Sequence, residues 1–428
     1  MSREGYKMTE LGEIPREWEV EPIGTFIDSL NAGVSVNSED RPRKAGEYGI
    51  LKTSSVTYGI WKPEENKVVL EEELGRARVS PKRDRIIISR MNTPQMVGAS
   101  AYIPKDMEDL FLPDRLWQIE PKENQKVSMR WLSYSISSDN VRMQITNIAT
   151  GTSGSMKNMS KTAFLGLPII VPTYIEQQKI AEILSTVDEQ IMQTDALIEK
   201  TKELKKGLMQ RLLTKGIGHT KFRVTEIGEI PIEWEVKPLS NVCDVNPESL
   251  TSKTDSDLKI NYIDIESVST GSISGIKEYL FGDAPSRARR VVRKKDVIIS
   301  TVRPYLRAFA MIQESLNNLI CSTGFAVIRA KNENVPEYLY QCTLSDCFLS
   351  QLTNKMVGSN YPAVNASDVK ETLVPVPPPI EQRKIASILC SVDQQIEEYE
   401  SKEQKLNVLK KALMQKLLTG KIRVNVQD

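Results

Sequence analysis

The sequence predicts an α/β chain of the α+β kind, with two similar domains separated by a pair of long antiparallel coiled-coil helices. Three repeated blocks carry this prediction. Residues 9–22 (TELGEIPREWEVEP) return at 225–238 (TEIGEIPIEWEVKP), identical at 11 of 14 positions. Residues 175–191 return at 380–396, identical at 12 of 17. LKKGLMQRLLT at 204–214 returns as LKKALMQKLLT at 409–419, while the interiors between the blocks are far less alike. Solenoid and propeller units run about 20–50 residues. A period near 210 residues therefore means duplicated whole domains.

Each copy opens with GEIP-x-EWEV (Ile14 to Val20, Ile230 to Val236), where proline and alternating Trp and Val predict a turn entering a short strand. Short strands are predicted at Gly49–Ser54 and Ile260–Ile265, Arg85–Ser89 and Val297–Ser300, Trp117–Glu120 and Phe325–Ile328. A helical stretch follows in each (Met129 to Ile145, Pro336 to Leu352). Then come a Gly/Ser-rich loop, TGTSGSMKN at 150–158 matched by VGSNYPAVN at 357–365, and a strand ending in proline at 167–172 and 372–377.

From Ile175 to Leu213 there is no proline, and apolar residues recur with spacing four then three. Leu184, Ile191, Ile198, Lys205 and Leu212 form one stripe; Ile180, Val187, Thr194, Thr201 and Leu208 form the other. The second copy repeats both stripes from Ile385 and Leu389, which predicts a coiled-coil seam about 60 Å long. Thr194, Thr201, Lys205, Glu403 and Lys410 interrupt it, so imperfect packing or partner contacts are expected there. The expected division is a domain at 1–172, a helix at 173–215, a second domain at 216–377, and a second helix with its tail at 378–428. Lys421, Ile422, Arg423 and Val424 repeat Lys221, Phe222, Arg223 and Val224. The tail is therefore expected to pack on the first domain and close a pseudo-twofold circular arrangement.

The formal net charge of +1 is uninformative, but its distribution is not. Residues 76–90 carry six basic residues against Asp84, and residues 287–307 carry eight against Asp296. A basic patch repeated once per copy suits a polyanion. The single histidine, His219, sits in the inter-copy linker and reads as incidental, which leaves no His-based metal site or catalytic triad. No phosphate loop or dinucleotide fingerprint is present. Asn360-Tyr361-Pro362 lacks the second proline of an amino-methyltransferase motif. No apolar run reaches the roughly 18 residues of a membrane span. The opening residues lack a signal-peptide core, and all five cysteines lie in the second copy without ligand spacing. Free thiols in a cytoplasmic, non-catalytic chain are expected.

The duplicated GEIP-x-EWEV openings, the YIEQQKIAEIL and PIEQRKIASIL helix starts, and the loop before a strand ending in proline resemble the specificity (S) subunit of type I restriction-modification systems. The resemblance covers essentially the whole chain. It implies two target recognition domains, each reading one half of a split double-stranded DNA site. It further implies that the helices act as a spacer and dock two methylation subunits, with restriction subunits joining in the full complex. On that resemblance S-adenosylmethionine, ATP and magnesium belong to partner subunits, and this chain holds no cofactor. The complex would methylate adenine N6 and cleave DNA with ATP. One departure is Pro172-Thr173-Tyr174 where the second copy has Pro377-Pro378-Pro379, which is expected to affect the entry of the first helix.

Loop position and side-chain type nominate DNA contacts. In the first domain these are Lys52, Arg90, Asn92, Gln95, Arg115, Thr152, Ser153 and Lys157; in the second they are Arg303, Tyr305, Arg307, Ser359, Asn360 and Tyr361. Arg76, Arg78, Arg287, Arg289 and Arg290 are assigned phosphate or surface roles. The rival readings are a coiled-coil adaptor without DNA specificity and a self-contained methyltransferase.

Overall fold

The computed structural model describes residues 3–151, 156–358 and 362–425. The chain divides into two compact units, Met1–Thr194 with Lys402–Asp428, and Asp195–Ser401.

In the first unit the opening and closing strands pair with each other: Glu19–Pro22 lies antiparallel to Pro168–Val171. Between them, a four-stranded antiparallel sheet runs in the order Ser100–Ile103, Arg85–Ser89, Leu116–Pro121, Ile27–Ala32. A second four-stranded sheet, which includes Gly49–Leu51 and Asn66–Val69, packs on it through Leu51 and Leu110. The strand Arg85–Ser89 shows why its sequence is apolar throughout. Ile86 and Ile88 face a core shared with Trp117, Trp131 and Leu132, whereas Ile87 faces Leu51, Val56 and Leu110 on the other side. Side chains alternate across a strand, so a strand covered on both faces loses its polar positions.

The second unit repeats this plan. Glu235–Pro238 pairs with Leu373–Val376. Val297 and Ile299 face one core and Ile298 another. The strand predicted over Gly49–Ser54 ends at Leu51 and continues as a 3-10 turn, Thr53–Ser55; Lys259–Ile263 is followed likewise by Ile265–Ser267.

The helical stretches expected at 129–145 and 336–352 are each two helices. Met129–Ser137 gives way to Asp139–Ile148 because the Ser138 hydroxyl accepts from the Val141 amide. Pro336–Thr343 gives way to Asp346–Asn354, where Ser345 does the same for Phe348. A serine that satisfies a free helix-start amide favours a new helix over continuing the old one.

The long helices, Tyr174–Leu212 and Pro379–Leu417, contribute opposite ends to each core. In the first unit Ile180 and Leu184, from the start of one helix, join Leu417 and Leu418, from the end of the other. In the second unit Ile385 and Leu389 join Leu212 and Leu213. The two helices begin at equivalent positions, so the departure at Thr173 does not displace the start. Thr173 Oγ1 donates to Glu176 Oε2 at 2.8 Å where the other helix opens on Pro379.

The polar interruptions of the seam are ordered rather than loose. Lys410 Nζ lies 2.7 Å from Asp188 Oδ1, and the Tyr134 hydroxyl donates to Asp188 Oδ2 at 2.6 Å. In the second unit Lys205 Nζ lies 2.5 Å from Asp393 Oδ1, and Gln341 Nε2 donates to Asp393 Oδ2 at 2.8 Å. Thr194 and Thr201 turn their hydroxyls onto the carbonyls of Gln190 and Leu197, both at 2.7 Å.

A second duplicated knot secures each helix start. Glu176, 1% exposed, accepts from Trp18 Nε1 at 2.7 Å and from Arg423 Nε at 2.6 Å. Glu381 accepts from Trp234 Nε1 at 3.0 Å and lies 2.9 Å from His219 Nε2. The tail thus packs on the first unit, and Val424 is buried in its core. His219 is not incidental: it fills the place that Arg423 takes in the other copy, with its Nδ1 2.9 Å from Glu233. The cysteines are free, and burial pushes the thiols of Cys243 and Cys342 up to about 12, which leaves them unreactive.

Two stability predictions follow from these contacts. Glu176→Ala strands Trp18 Nε1 and takes from Arg423 its buried partner, and should cost about 3 kcal/mol. Glu17→Ala removes a partner of Arg423 that is 64% exposed and should cost less than about 1 kcal/mol. Thermal unfolding of both variants checks the ranking, and equal losses would contradict it. A double-mutant cycle on Lys410→Met and Asp188→Asn, read by urea unfolding, should give a coupling of about 1–2 kcal/mol. A coupling near zero would make the pair a surface coincidence.

Candidate nucleic-acid interface

The buried central strands deliver their ends to one place in each unit. Beyond Ser89, Met91–Asn92 pairs antiparallel with Lys157–Asn158, and the Met159 amide donates to the Arg90 carbonyl at 2.9 Å. Beyond Ser300, Val302 bridges Ala363, and the Val364 amide donates to the Thr301 carbonyl at 2.9 Å. The loops themselves are closed at their bases. Thr150 and Asn158 exchange both backbone hydrogen bonds, at 2.9 and 2.8 Å, and Val357 and Ala363 do the same at 3.0 Å each.

The repeat by sequence, 150–158 against 357–365, is therefore closed two residues earlier in the second copy. A glycine follows the first bridge residue in both. A Cβ on Gly151 would meet the Met156 carbonyl oxygen at 2.4 Å, and Gly358 has φ +107°.

This pairing brings several nominated residues together. Arg90, Asn92 and Lys157 share the paired segment, and the Arg90 amide donates to the Arg115 carbonyl at 3.0 Å, which adds Arg115. Arg90 is partly engaged, with Nε donating to the Asp114 carbonyl at 2.8 Å. Asn92 donates to Ser89 Oγ at 3.3 Å and is half-buried. Gln95 and Arg115 are exposed. Lys52 follows the strand Gly49–Leu51 and enters the 3-10 turn, with its Nζ 3.6 Å from Asp40 Oδ1. Thr152, Ser153, Ser359, Asn360 and Tyr361 lie outside the described residues.

In the second unit Arg303 and Arg307 flank a 3-10 turn, Pro304–Leu306, both left-handed at φ +49° and +52°. Such backbone costs a non-glycine residue about 1 kcal/mol and clusters where side-chain aim matters. The Arg303 amide is held by the Pro362 carbonyl at 2.8 Å, beside the loop base. Tyr305 is 44% exposed on the turn. Arg307 is tied to the protein instead: Nη1 donates to the Leu344 carbonyl at 3.1 Å and Nη2 pairs with Asp346.

The basic segments are less cationic than their sequence. Arg76 pairs with Glu73 at 2.6 Å, Arg85 with Glu120 at 2.5 Å, Arg293 with Glu248 at 2.7 Å and Lys295 with Glu337 at 3.0 Å. Arg78 is exposed, its Nη1 on the carbonyl of Ala77; Arg289 covers the Phe281 ring, and Arg290 donates to Ser249 at 3.1 Å. Arg287 differs. It is exposed, and its carbonyl takes the Thr323 amide at 2.8 Å, one residue from Gly324, whose carbonyl binds Thr301 at 2.9 Å. That chain of bonds places Arg287 at the loop end, where sequence gave it little weight.

Sequence reasoning missed Tyr58, Arg142 and Thr270, which hold these loops from remote elements and carry no local motif. Among the described residues there is no group of acids, histidines and cysteines able to hold a metal, and no helix is long and apolar enough to cross a membrane. Among the described residues, the first unit thus presents amide, guanidinium and ammonium groups (Asn92, Arg90, Arg115, Lys157) at this place, and the second presents guanidinium groups and a phenol (Arg287, Arg303, Tyr305). Such groups can donate to phosphates and base edges.

Comparison with known proteins places this geometry. The family model described as type I restriction modification DNA specificity domain matches twice, at residues 15–203 and 231–410. The putative type I restriction enzyme MjaX specificity subunit of Methanocaldococcus jannaschii is 27% identical, over 98% of this chain and 97% of that protein. The MjaVIII specificity subunit of the same organism is 25% identical, over 98% and 96%. The crystal structure of the S subunit of a type I restriction-modification system from M. genitalium superposes with a TM-score of 0.62 at 17% identity, covering 96% of this chain and 97% of that one. Two family matches, each spanning one opening strand, one loop pair and the start of one long helix, show that this chain belongs to the type I restriction-modification DNA specificity family.

Proposed function

We propose that the chain is the DNA specificity subunit of a type I restriction-modification complex, and that each unit reads one half of a bipartite duplex site. The observation that carries this reading is the duplicated loop pair with unlike side chains. Arg90 and Asn92 in one unit stand where Thr301 and Arg303 stand in the other. The backbone frame is kept and the groups presented to DNA differ, which suits one protein reading two different short sequences.

In this reading Arg287, Arg115 and Lys157 contact phosphates and set register, while Asn92, Gln95 and Arg303 approach base edges. A bidentate side-chain contact discriminates bases by about 1–3 kcal/mol. The chain does no chemistry itself. Two methylation subunits dock on it through the long helices, and S-adenosylmethionine, ATP and magnesium are held by partner subunits. The near-identity of the LKK-x-LMQ-x-LLT blocks supports equivalent docking in the two halves.

Exchanging residues 150–158 for the loop of a related protein should change one half of the recognised sequence and leave the other intact. Sequencing of modified DNA reads the outcome, and an unchanged site would remove these loops from recognition. Binding should also weaken steeply with salt, with log K falling linearly against log salt concentration, as phosphate contacts release counterions. A flat salt response would favour an adaptor that binds only proteins.

A further inference from the structure

Residues 93–98 follow the exit of the strand Arg85–Ser89 and carry the exposed Gln95. Two side chains from other elements grip the backbone of this segment. The Tyr58 hydroxyl donates to the Gln95 carbonyl at 2.8 Å, and Arg142 Nη2 donates to the same oxygen at 2.8 Å. Arg142 Nη1 donates to the Val97 carbonyl at 2.5 Å, and its guanidinium lies 5.3 Å from the Tyr58 ring centroid. Arg142 pairs with no carboxylate among the described residues, and its Nε is buried without a hydrogen-bond partner. Half-burying a cation against carbonyls and a ring, with no carboxylate partner, forfeits hydration, so stability by itself gives little reason for the contact.

Gly98 gives independent support. Its φ is +72°, and a Cβ there would sit 2.4 Å from Ile145 Cγ2 and 2.9 Å from Arg142 Nη1. The segment closes onto the helix Asp139–Ile148 only because this position lacks a side chain. The second unit fastens the corresponding segment with other groups and at another residue, Arg307, which stands where Gly98 does in the first unit. Thr270 Oγ1 donates to the Arg307 carbonyl at 2.9 Å, and the Arg307 guanidinium reaches the Leu344 carbonyl. Tyr58 and Thr270 each precede a glycine of positive φ, Gly59 and Gly271.

We propose that Arg142, together with Tyr58, is a specificity-determining positioning residue of the first unit. It fixes the backbone of residues 93–98, and so the point from which the Gln95 side chain meets the base edges of one half-site. Each terminal nitrogen of Arg142 is held by a carbonyl of the segment, so the role assigned to it is exerted through the loop. The inference rests on the proposed reading of the loops as DNA contacts.

The test selects bound duplexes from a library with randomised bases, using the full chain and its Arg142→Ala, Arg142→Lys, Gly98→Ala, Tyr58→Phe and Gln95→Ala variants. The half-site of interest is the one that changes on exchange of residues 150–158. Arg142→Ala should lower base discrimination at one or more positions of that half-site about tenfold. The other half-site and the salt dependence should stay as in the parent chain. Gly98→Ala should give the same profile with Arg142 still present, Arg142→Lys should recover part of the discrimination, and Tyr58→Phe should lose about threefold. An unchanged half-site in both Arg142→Ala and Gly98→Ala overturns the proposal, as does an equal loss at both half-sites. If loop exchange and Gln95→Ala also change nothing, the reading of the loops fails as well. If they change the half-site and neither Arg142→Ala nor Gly98→Ala does, only the positioning role falls.

Discussion

A carboxylate at the start of each long helix, buried in one unit and mostly buried in the other, is the constraint on which each unit depends. Glu176 is almost wholly removed from water, and such a charge is tolerated only when its oxygens are filled by donors. Trp18 from the opening element and Arg423 from the tail fill them in one unit, and Trp234 and His219 fill the oxygens of Glu381 in the other. Each knot joins three distant pieces of chain: the turn that opens the domain, the helix that leaves it, and the segment that follows the end of the other helix. The pairing of opening with closing strand is fixed beside it, and the central strand that delivers the loops is packed against the same core.

From that frame the route to function is short. The central strand is covered on both faces, so its alternation is hidden and only its end is free to carry polar groups. That end is held by a backbone bridge to a second loop, and the two loops form one presenting edge. The bridges use backbone atoms alone, which lets side chains differ between the copies while the geometry repeats. Duplication with divergence of this kind suits recognition of two unlike sequences by one chain.

Much of the plan was legible in the residues because repetition doubles the signal. The 14-residue opening block, the helix starts and the strands Arg85–Ser89 and Val297–Ser300 stand at or near their expected places. The features that the residues alone do not show are set by partners distant in sequence. Lys205 and Lys410 read as flaws in an apolar seam, and only the fold shows that Asp393 and Asp188 complete them. His219 looked idle because its counterpart in the other copy is an arginine at a shifted spacing. Ser138 and Ser345 broke helices that periodicity ran together, since a capping hydroxyl is worth more locally than the apolar pattern reveals. Of the nominated contacts, Arg90, Asn92, Arg115 and Lys157 come together, whereas Arg307 serves the protein and Arg287 gains importance. Sequence offers charge and loop character, but whether a guanidinium is free depends on which carbonyls happen to face it.

The most direct measurement is to sequence the modified DNA of a host carrying this chain with its partner subunits. If each unit reads independently through its own loop pair, the modified sites will share two short fixed blocks separated by a stretch with no base preference. A single continuous block, or modification without sequence preference, would contradict the account.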